Sequence, residues 1–242
     1  MTEQENENPR RTFLLQVAKV AGAGSLASTV VANETVAAPT PTAAQESAAA
    51  PYQSLSPDEA SFVEALVNVM CPADEYSPNG VDCGLATYID RQLAGPFGKG
   101  AGRYQRGPFR SGKPQLGLQL PLSPEEFCKA GIAAANAACI RDRGKAFAQL
   151  DVADADTFIK AIHEDRVKVE GFSLALWFNE VVYPLFAEGC FADPMYGGNR
   201  HAVFWKMIGY PGLPATHTLD MTRYRGKPYP GAKNPKSIAD FS

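Results

Sequence analysis

Several residues stand at spacings that chemistry uses, and each pattern makes demands on its surroundings. Gly107-Pro108-Phe109-Arg110-Ser111-Gly112-Lys113 fits the GxxxxGK of a phosphate-cradling loop. Such a loop needs a Ser or Thr next, to hold magnesium, with a strand before it and a helix after. The next residue is Pro114, and no apolar strand precedes the motif. A residue before proline is also biased away from helix, so the motif is rejected. Gly98, Gly100 and Gly102 fail as a dinucleotide fingerprint, because Arg103 occupies the last glycine position and βαβ alternation is lacking. Neither a GxSxG elbow nor an HExxH pair occurs.

The thiols and imidazoles are equally scattered. Cys71, Cys83, Cys128, Cys139 and Cys190 form no CxxC, and His163, His201 and His217 lie far apart. No grouping has zinc spacing, so neither a metal nor a catalytic site is expected in this chain. Cys71 and Cys83 flank an acidic loop and are candidates to close it as a disulfide, which an exported chain permits. Five is an odd number of cysteines, so at least one thiol is free or pairs with another chain. In that loop Asp74, Glu75, Asn79 and Asp82 lack the alternating ligands of a calcium-binding EF-hand.

The elements around these residues read as helices. Ser56-Pro57-Asp58-Glu59 and Ser123-Pro124-Glu125-Glu126 are helix starts with a cap, a proline in the first turn and a glutamate at the box position. Phe62, Leu66, Val69 and Met70 then recur at three- and four-residue spacing. Further helices are expected over 85–93, within 127–150, over 153–167 and 172–188, and from Asn199 to Gly209. Sustained strand alternation is absent. The fold class expected is all-α, an irregular helical domain with long loops. Gly95 to Gln119 is one such loop, rich in Gly, Pro and Arg, and loops of that length tend to be functional or to pack on a partner. After Gly209 no helix is expected. Prolines 211, 214, 228, 230 and 235 punctuate a tail bearing Arg223, Arg225, Lys227, Lys233 and Lys236. The tail is either disordered or an arm laid along a partner.

The N-terminus carries a different message. The chain has 242 residues, 45% of them hydrophobic, and a formal net charge of -3. That is enough for a globular core, and it gives no electrostatic reason to expect nucleic acid. The first fifty residues hold no Trp or Tyr and one Phe, too little apolar surface to offset chain entropy. Arg10-Arg11-Thr12-Phe13-Leu14 is a twin-arginine pair followed by Phe-Leu, and the stretch behind it is mildly apolar and ends in small residues. Charged start, apolar middle and small-residue exit make a secretory signal. The paired Arg10 and Arg11 with Phe13 and Leu14 point to the twin-arginine (Tat) translocase, which moves folded proteins. The organisation expected is a signal at 1–32, a disordered linker at 33–54, a helical domain at 55–214 and an extended basic tail at 215–242.

The most specific run is Gly189-Cys190-Phe191-Ala192-Asp193-Pro194-Met195-Tyr196-Gly197-Gly198-Asn199-Arg200, followed by Phe204-Trp205-Lys206-Met207-Ile208-Gly209-Tyr210-Pro211-Gly212. Asp193-Pro194 and Gly197-Gly198-Asn199 make a compact turn feeding a helix capped by Asn199. This run resembles the signature of the gluconate 2-dehydrogenase subunit 3 family. Pro72-Ala73-Asp74-Glu75 with Ser77-Pro78, Tyr88-Ile89-Asp90-Arg91-Gln92-Leu93-Ala94-Gly95, and the region from Tyr104 to Pro108 agree with it in the same order. The acidic N-terminus and the long basic tail depart from the family pattern.

The resemblance implies an accessory small subunit without catalytic residues or a cofactor of its own. Its partners would be a large flavoprotein of the glucose–methanol–choline type, holding FAD, and a multihaem cytochrome c subunit, holding haem c. The small subunit would carry the folded flavoprotein through Tat into the periplasm, where the complex sits on the inner membrane. Phe191, Asp193, Tyr196, Asn199, Arg200 and Trp205 are the interface candidates, each with an alternative role in local fold support. Cys190 adjoins the motif and is a candidate for an inter-subunit disulfide. The competing readings are a stand-alone periplasmic enzyme, active as the purified chain, and a periplasmic binding protein, whose melting would shift with ligand. The substrate choice belongs to the large subunit.

Overall fold

The computed structural model describes residues 52–103, 106–110, 119–214 and 216–241. The signal with Arg10, Arg11, Phe13 and Leu14, the linker up to residue 51, and positions 111–118 of the glycine-rich loop lie outside the described residues.

Cap chemistry sets the first helices. Helix α1 (Pro57–Met70) starts where the Ser56 hydroxyl accepts from the Glu59 amide and the Glu59 carboxylate accepts from the Ser56 amide. It buries Ala60, Phe62, Val63, Leu66 and Val67. Helix α2 (Leu85–Ala94) follows Gly84, whose φ of 82° is the left-handed conformation glycine tolerates best. Helix α3 (Pro124–Arg143) repeats the capping box with Ser123 and Glu126. In helix α4 (Val152–His163) Asp151 accepts from the Asp154 amide at 2.9 Å. A continuous helical run then comprises α5 (Leu174–Trp177), a π-helical turn (Phe178–Val182) and α6 (Tyr183–Phe191). Two short helices close the chain, α7 (Val203–Ile208) and α8 (Thr218–Arg223). Apart from two isolated bridges, Val169 with Phe172 and Gly212 with Lys236, the described residues contain no β-structure. The chain is all-α, as its sequence indicates.

The core lies where α1, α3, α4 and α5 meet. Trp177 is fully buried, and its indole donates to the Cys128 carbonyl at 3.1 Å. Phe62 stands 4.7 Å from Phe147 and 6.2 Å from Trp177, centroid to centroid, and Phe147 stands 6.0 Å from Phe158. Burial of each phenylalanine contributes about 1.5–3 kcal/mol. Gly131 lets α3 approach this cluster, since a Cβ there would fall 2.1 Å from the Trp177 ring. A second packing face joins α2 to α6.

The structure revises several boundaries. The helix expected within 127–150 stops at Arg143, because Gly144 takes φ 73° and donates back to the Ile140 carbonyl. The helix expected over 153–167 runs from Val152 to His163. The helix of 172–188 starts later, reaches Phe191 and widens to π geometry before Pro184. A proline inside a helix lacks an amide donor and crowds the carbonyl four residues back, and the wider turn relieves both. Helix α7 begins at Val203, four residues past Asn199, since Asn199, His201 and Ala202 all have positive φ. The tail is not free of helix, as α8 and one-turn helices at Pro230–Lys233 and Ile238–Phe241 show. Residues just ahead of Leu55 are also bonded to the helices. Tyr52 donates to Glu64 at 2.7 Å, and the amides of Gln53, Ser54 and Leu55 all donate to the Asp90 carboxylate.

Candidate interaction site

The signature run folds as a tight relay between α6 and α7. Asp193 accepts from the Met195 amide at 3.0 Å, which starts a single 3₁₀ turn over Pro194–Tyr196. Gly197, at φ 102°, ends that turn. A Cβ at Gly198 would fall 2.4 Å from the Gly189 carbonyl oxygen, so only glycine lets the chain double back here. Asn199 is fully buried. Its amide nitrogen donates to the Ala192 carbonyl at 3.1 Å, and its oxygen accepts from the Phe204 amide at 3.0 Å. Asn199 thus ties the end of α6 to the first turn of α7, and its left-handed backbone suits an asparagine.

This relay is clamped onto α2. A Cβ at Gly84 would meet the Gly197 carbonyl oxygen at 2.1 Å. The Arg200 amide donates to the Cys83 carbonyl at 3.0 Å, and its guanidinium donates to the Thr87 hydroxyl at 3.1 Å. Arg91 reaches the Met195 carbonyl at 3.4 Å. Gly189 lies against the Tyr88 ring, and the Tyr88 hydroxyl donates to Glu188 at 3.4 Å. Burial first, and the Glu188 carboxylate second, push the Tyr88 phenol up to about 12. The segments 83–95 and 189–200 are therefore one structural unit, although about a hundred residues separate Tyr88 from Glu188 in the chain. A family model for gluconate 2-dehydrogenase subunit 3 matches residues 57–212, a span that contains this unit and all the helices from α1 to α7.

The chain belongs to the gluconate 2-dehydrogenase subunit 3 family. The family is named for a subunit of an oxidoreductase complex. Comparison with curated proteins and with solved structures gave no match. The matched span opens on the first residue of α1 and stops at Gly212, so the tail lies beyond it.

Within this subunit 3 domain the six interface candidates separate. Phe191 is 50% exposed and Tyr196 46%, with Met195 beside them at 45%. Asp193 is engaged by the tail, its carboxylate accepting from the Ser237 hydroxyl at 2.7 Å and the Ile238 amide at 2.9 Å. Arg200 is half-buried and bonded to Thr87. Asn199 and Trp205 lie inside the fold. Trp205 donates to the Phe191 carbonyl at 2.8 Å and packs edge-on to Tyr210, with centroids 5.0 Å apart. The polar atoms of Asn199 and Trp205 are bonded within this chain, which is the local-support role open to both. Met207, Ile208 and Tyr210, on and just after α7, add exposed apolar surface that the sequence reading did not single out.

Asp90 was also passed over. It is 2% exposed, and it holds the amides of residues 53–55, just ahead of α1. Its signal was a carboxylate four residues after Ala86, on the otherwise largely apolar buried face of α2. All five cysteines are buried free thiols. Among the described residues no group of His, Cys, Asp and Glu has metal-holding geometry, and no helix is long and apolar enough to cross a membrane. A cavity of about 320 Å³ lies between the end of α7 and the tail, lined by His217, Asp220, Tyr224 and Tyr229 among others.

Proposed function

We propose that this subunit 3 chain is the non-catalytic small subunit of a flavin-dependent, gluconate 2-dehydrogenase-like enzyme. It stabilises a large flavoprotein of the glucose–methanol–choline type and escorts it, folded and loaded with FAD, through the Tat translocase. A multihaem cytochrome c subunit takes the electrons, and the complex works in the periplasm on the inner membrane. The observation that carries this reading is the family match over the helical domain. Exposed Phe191, Met195 and Tyr196 on a turn braced by α2 and α6 support it, since aromatic anchors on rigid supports concentrate binding energy.

The test is to express the partner flavoprotein with and without this chain and to measure flavin-loaded protein and dehydrogenase activity in the periplasm. Activity that depends on this chain, and is lost when Arg10→Lys and Arg11→Lys are combined, is the expected result. Export of active flavoprotein without this chain would refute the escort role.

A further inference from the structure

Cys71 caps the end of α1 and Cys83 immediately precedes Gly84 at the start of α2, so the loop 72–82 hangs between them. The loop's ends are drawn together by its own backbone. The Gly80 amide donates to the Cys71 carbonyl at 2.9 Å, and the Cys83 amide donates to the Asn79 carbonyl at 2.9 Å. The two thiols converge on one atom, the Pro78 carbonyl oxygen, with Sγ at 3.8 Å from Cys71 and 3.3 Å from Cys83. The Cys71 sulfur also lies 3.8 Å from the Ser77 hydroxyl. Cys71 is 8% exposed and Cys83 1%. A third thiol, Cys190 on α6, is buried as well. Most of the loop above the pair is exposed, including Pro72 to Tyr76.

We propose that Cys71 and Cys83 are an intrachain oxidation site, a dithiol that converts to a disulfide and staples the loop 72–82 across the α1–α2 corner, while Cys190 stays a thiol. The oxidant is a small or protein disulfide. One cysteine, as thiolate, attacks an oxidant sulfur, whose S–S bond breaks and releases one thiol. The second cysteine then displaces the remaining oxidant sulfur from the mixed disulfide. Two protons and two electrons leave the pair, and the oxidant becomes two thiols.

Attack starts at Cys71, the more accessible sulfur. Burial, reinforced by the neighbouring Cys71, pushes the Cys83 thiol up to about 12, so Cys83 suits the second step, once the loop has opened. Reaction with the folded chain is therefore slow, and it quickens with rising pH. The pair remains a dithiol in a reducing compartment and becomes a disulfide in an oxidising one. This inference concerns the chain's own thiols and stands independently of the escort role.

The experiment uses the full chain, reduced, desalted and incubated at pH 8 with oxidised glutathione. Thiols are then counted under denaturing conditions and the linked peptides mapped by mass spectrometry. The expected result is the loss of two of the five thiols, a Cys71–Cys83 linked peptide, and a melting temperature raised by about 5–10 °C that dithiothreitol reverses. Cys190→Ser should oxidise in the same way. Five persisting thiols, a stable glutathione adduct without an internal link, or a link that includes Cys190 would overturn the proposal.

Discussion

Replacing Asp90 by alanine removes a buried carboxylate that holds three consecutive backbone amides, those of Gln53, Ser54 and Leu55, at 2.7, 2.8 and 3.0 Å. Hydrogen bonds to a charged group contribute about 1.5–3 kcal/mol each. Water can reach the first two amides when Asp90 is lost, because both are only part-buried. The Leu55 amide is buried and keeps the full cost of an unsatisfied donor, about 1–3 kcal/mol. The sum expected for Asp90→Ala is about 3–5 kcal/mol. In a domain of this size that lowers the melting temperature by about 6–20 °C. Asp90→Asn keeps one acceptor for Ser54 and Leu55 but turns an NH₂ toward the Gln53 amide, and should cost about 1–2 kcal/mol. Denaturant unfolding with an unchanged m-value measures both, and limited proteolysis near Tyr52 reports detachment of the segment. An Asp90→Ala protein within about 0.5 kcal/mol of wild type would refute the reasoning, because surface substitutions alone reach that range.

Four further outcomes follow from particular contacts. Gly131→Ala should destabilise by about 1–3 kcal/mol or more, since the added Cβ meets the buried Trp177 ring at 2.1 Å; thermal unfolding reads it. At Glu125 burial raises the carboxyl, but hydrogen bonds from Lys99, Ser54 and Lys129 outweigh it and hold the group at about 2. Its stabilisation is full above about pH 4.3, the unfolded value, and fades as pH falls toward 2. Glu125→Gln should therefore cost about 1–2 kcal/mol at pH 7, after discounting for the exposed Lys99, and should flatten the acid limb of the stability curve. Asp193→Ala removes the tail's bonds to Ser237 and Ile238, and faster proteolysis within 213–241 than within the helical core is expected. Phe191→Ala with Tyr196→Ala should destabilise by only about 2 kcal/mol, the worth of the two buried halves, yet lower co-purification with the flavoprotein at least tenfold.

What was legible in the sequence was local. The boxes at Ser56 with Glu59 and Ser123 with Glu126 were readable because cap and partner lie three residues apart. The Asp193 turn was readable because Asp193 accepts from the Met195 amide, two residues on. The stop at Gly144 was overrun because the alanine-rich run ahead of it keeps high helix propensity. The π turn answers to Pro184, which marks a disturbance inside a helical pattern without saying which wider geometry takes it up. Helix α8 escaped because Leu219 and Met221 are 85% and 73% exposed, which leaves no apolar stripe of helical period. Asp90, Asn199 and Trp205 all depend on partners distant in the chain or on neighbours across a turn. Their residue types permit a surface role, and only the fold spends them inside.

The same contacts decide what the exposed face can do. Asp193 starts the turn that presents Met195 and Tyr196, and it also anchors the tail, which lies beyond the family's matched span. The tail therefore rests against one side of the turn and leaves Phe191, Met195 and Tyr196 open. Covering the exposed half of such a side chain recovers only about 1 kcal/mol, and a stable interface needs about 800 Å² from each partner. Three residues do not supply that area. Under the proposed function the contact would extend across neighbouring apolar surface, and Met207, Ile208 and Tyr210, shortly after the buried Trp205, provide the nearest such surface in sequence. A partner that engages the turn in this way would extend toward the end of α7 and the adjoining tail.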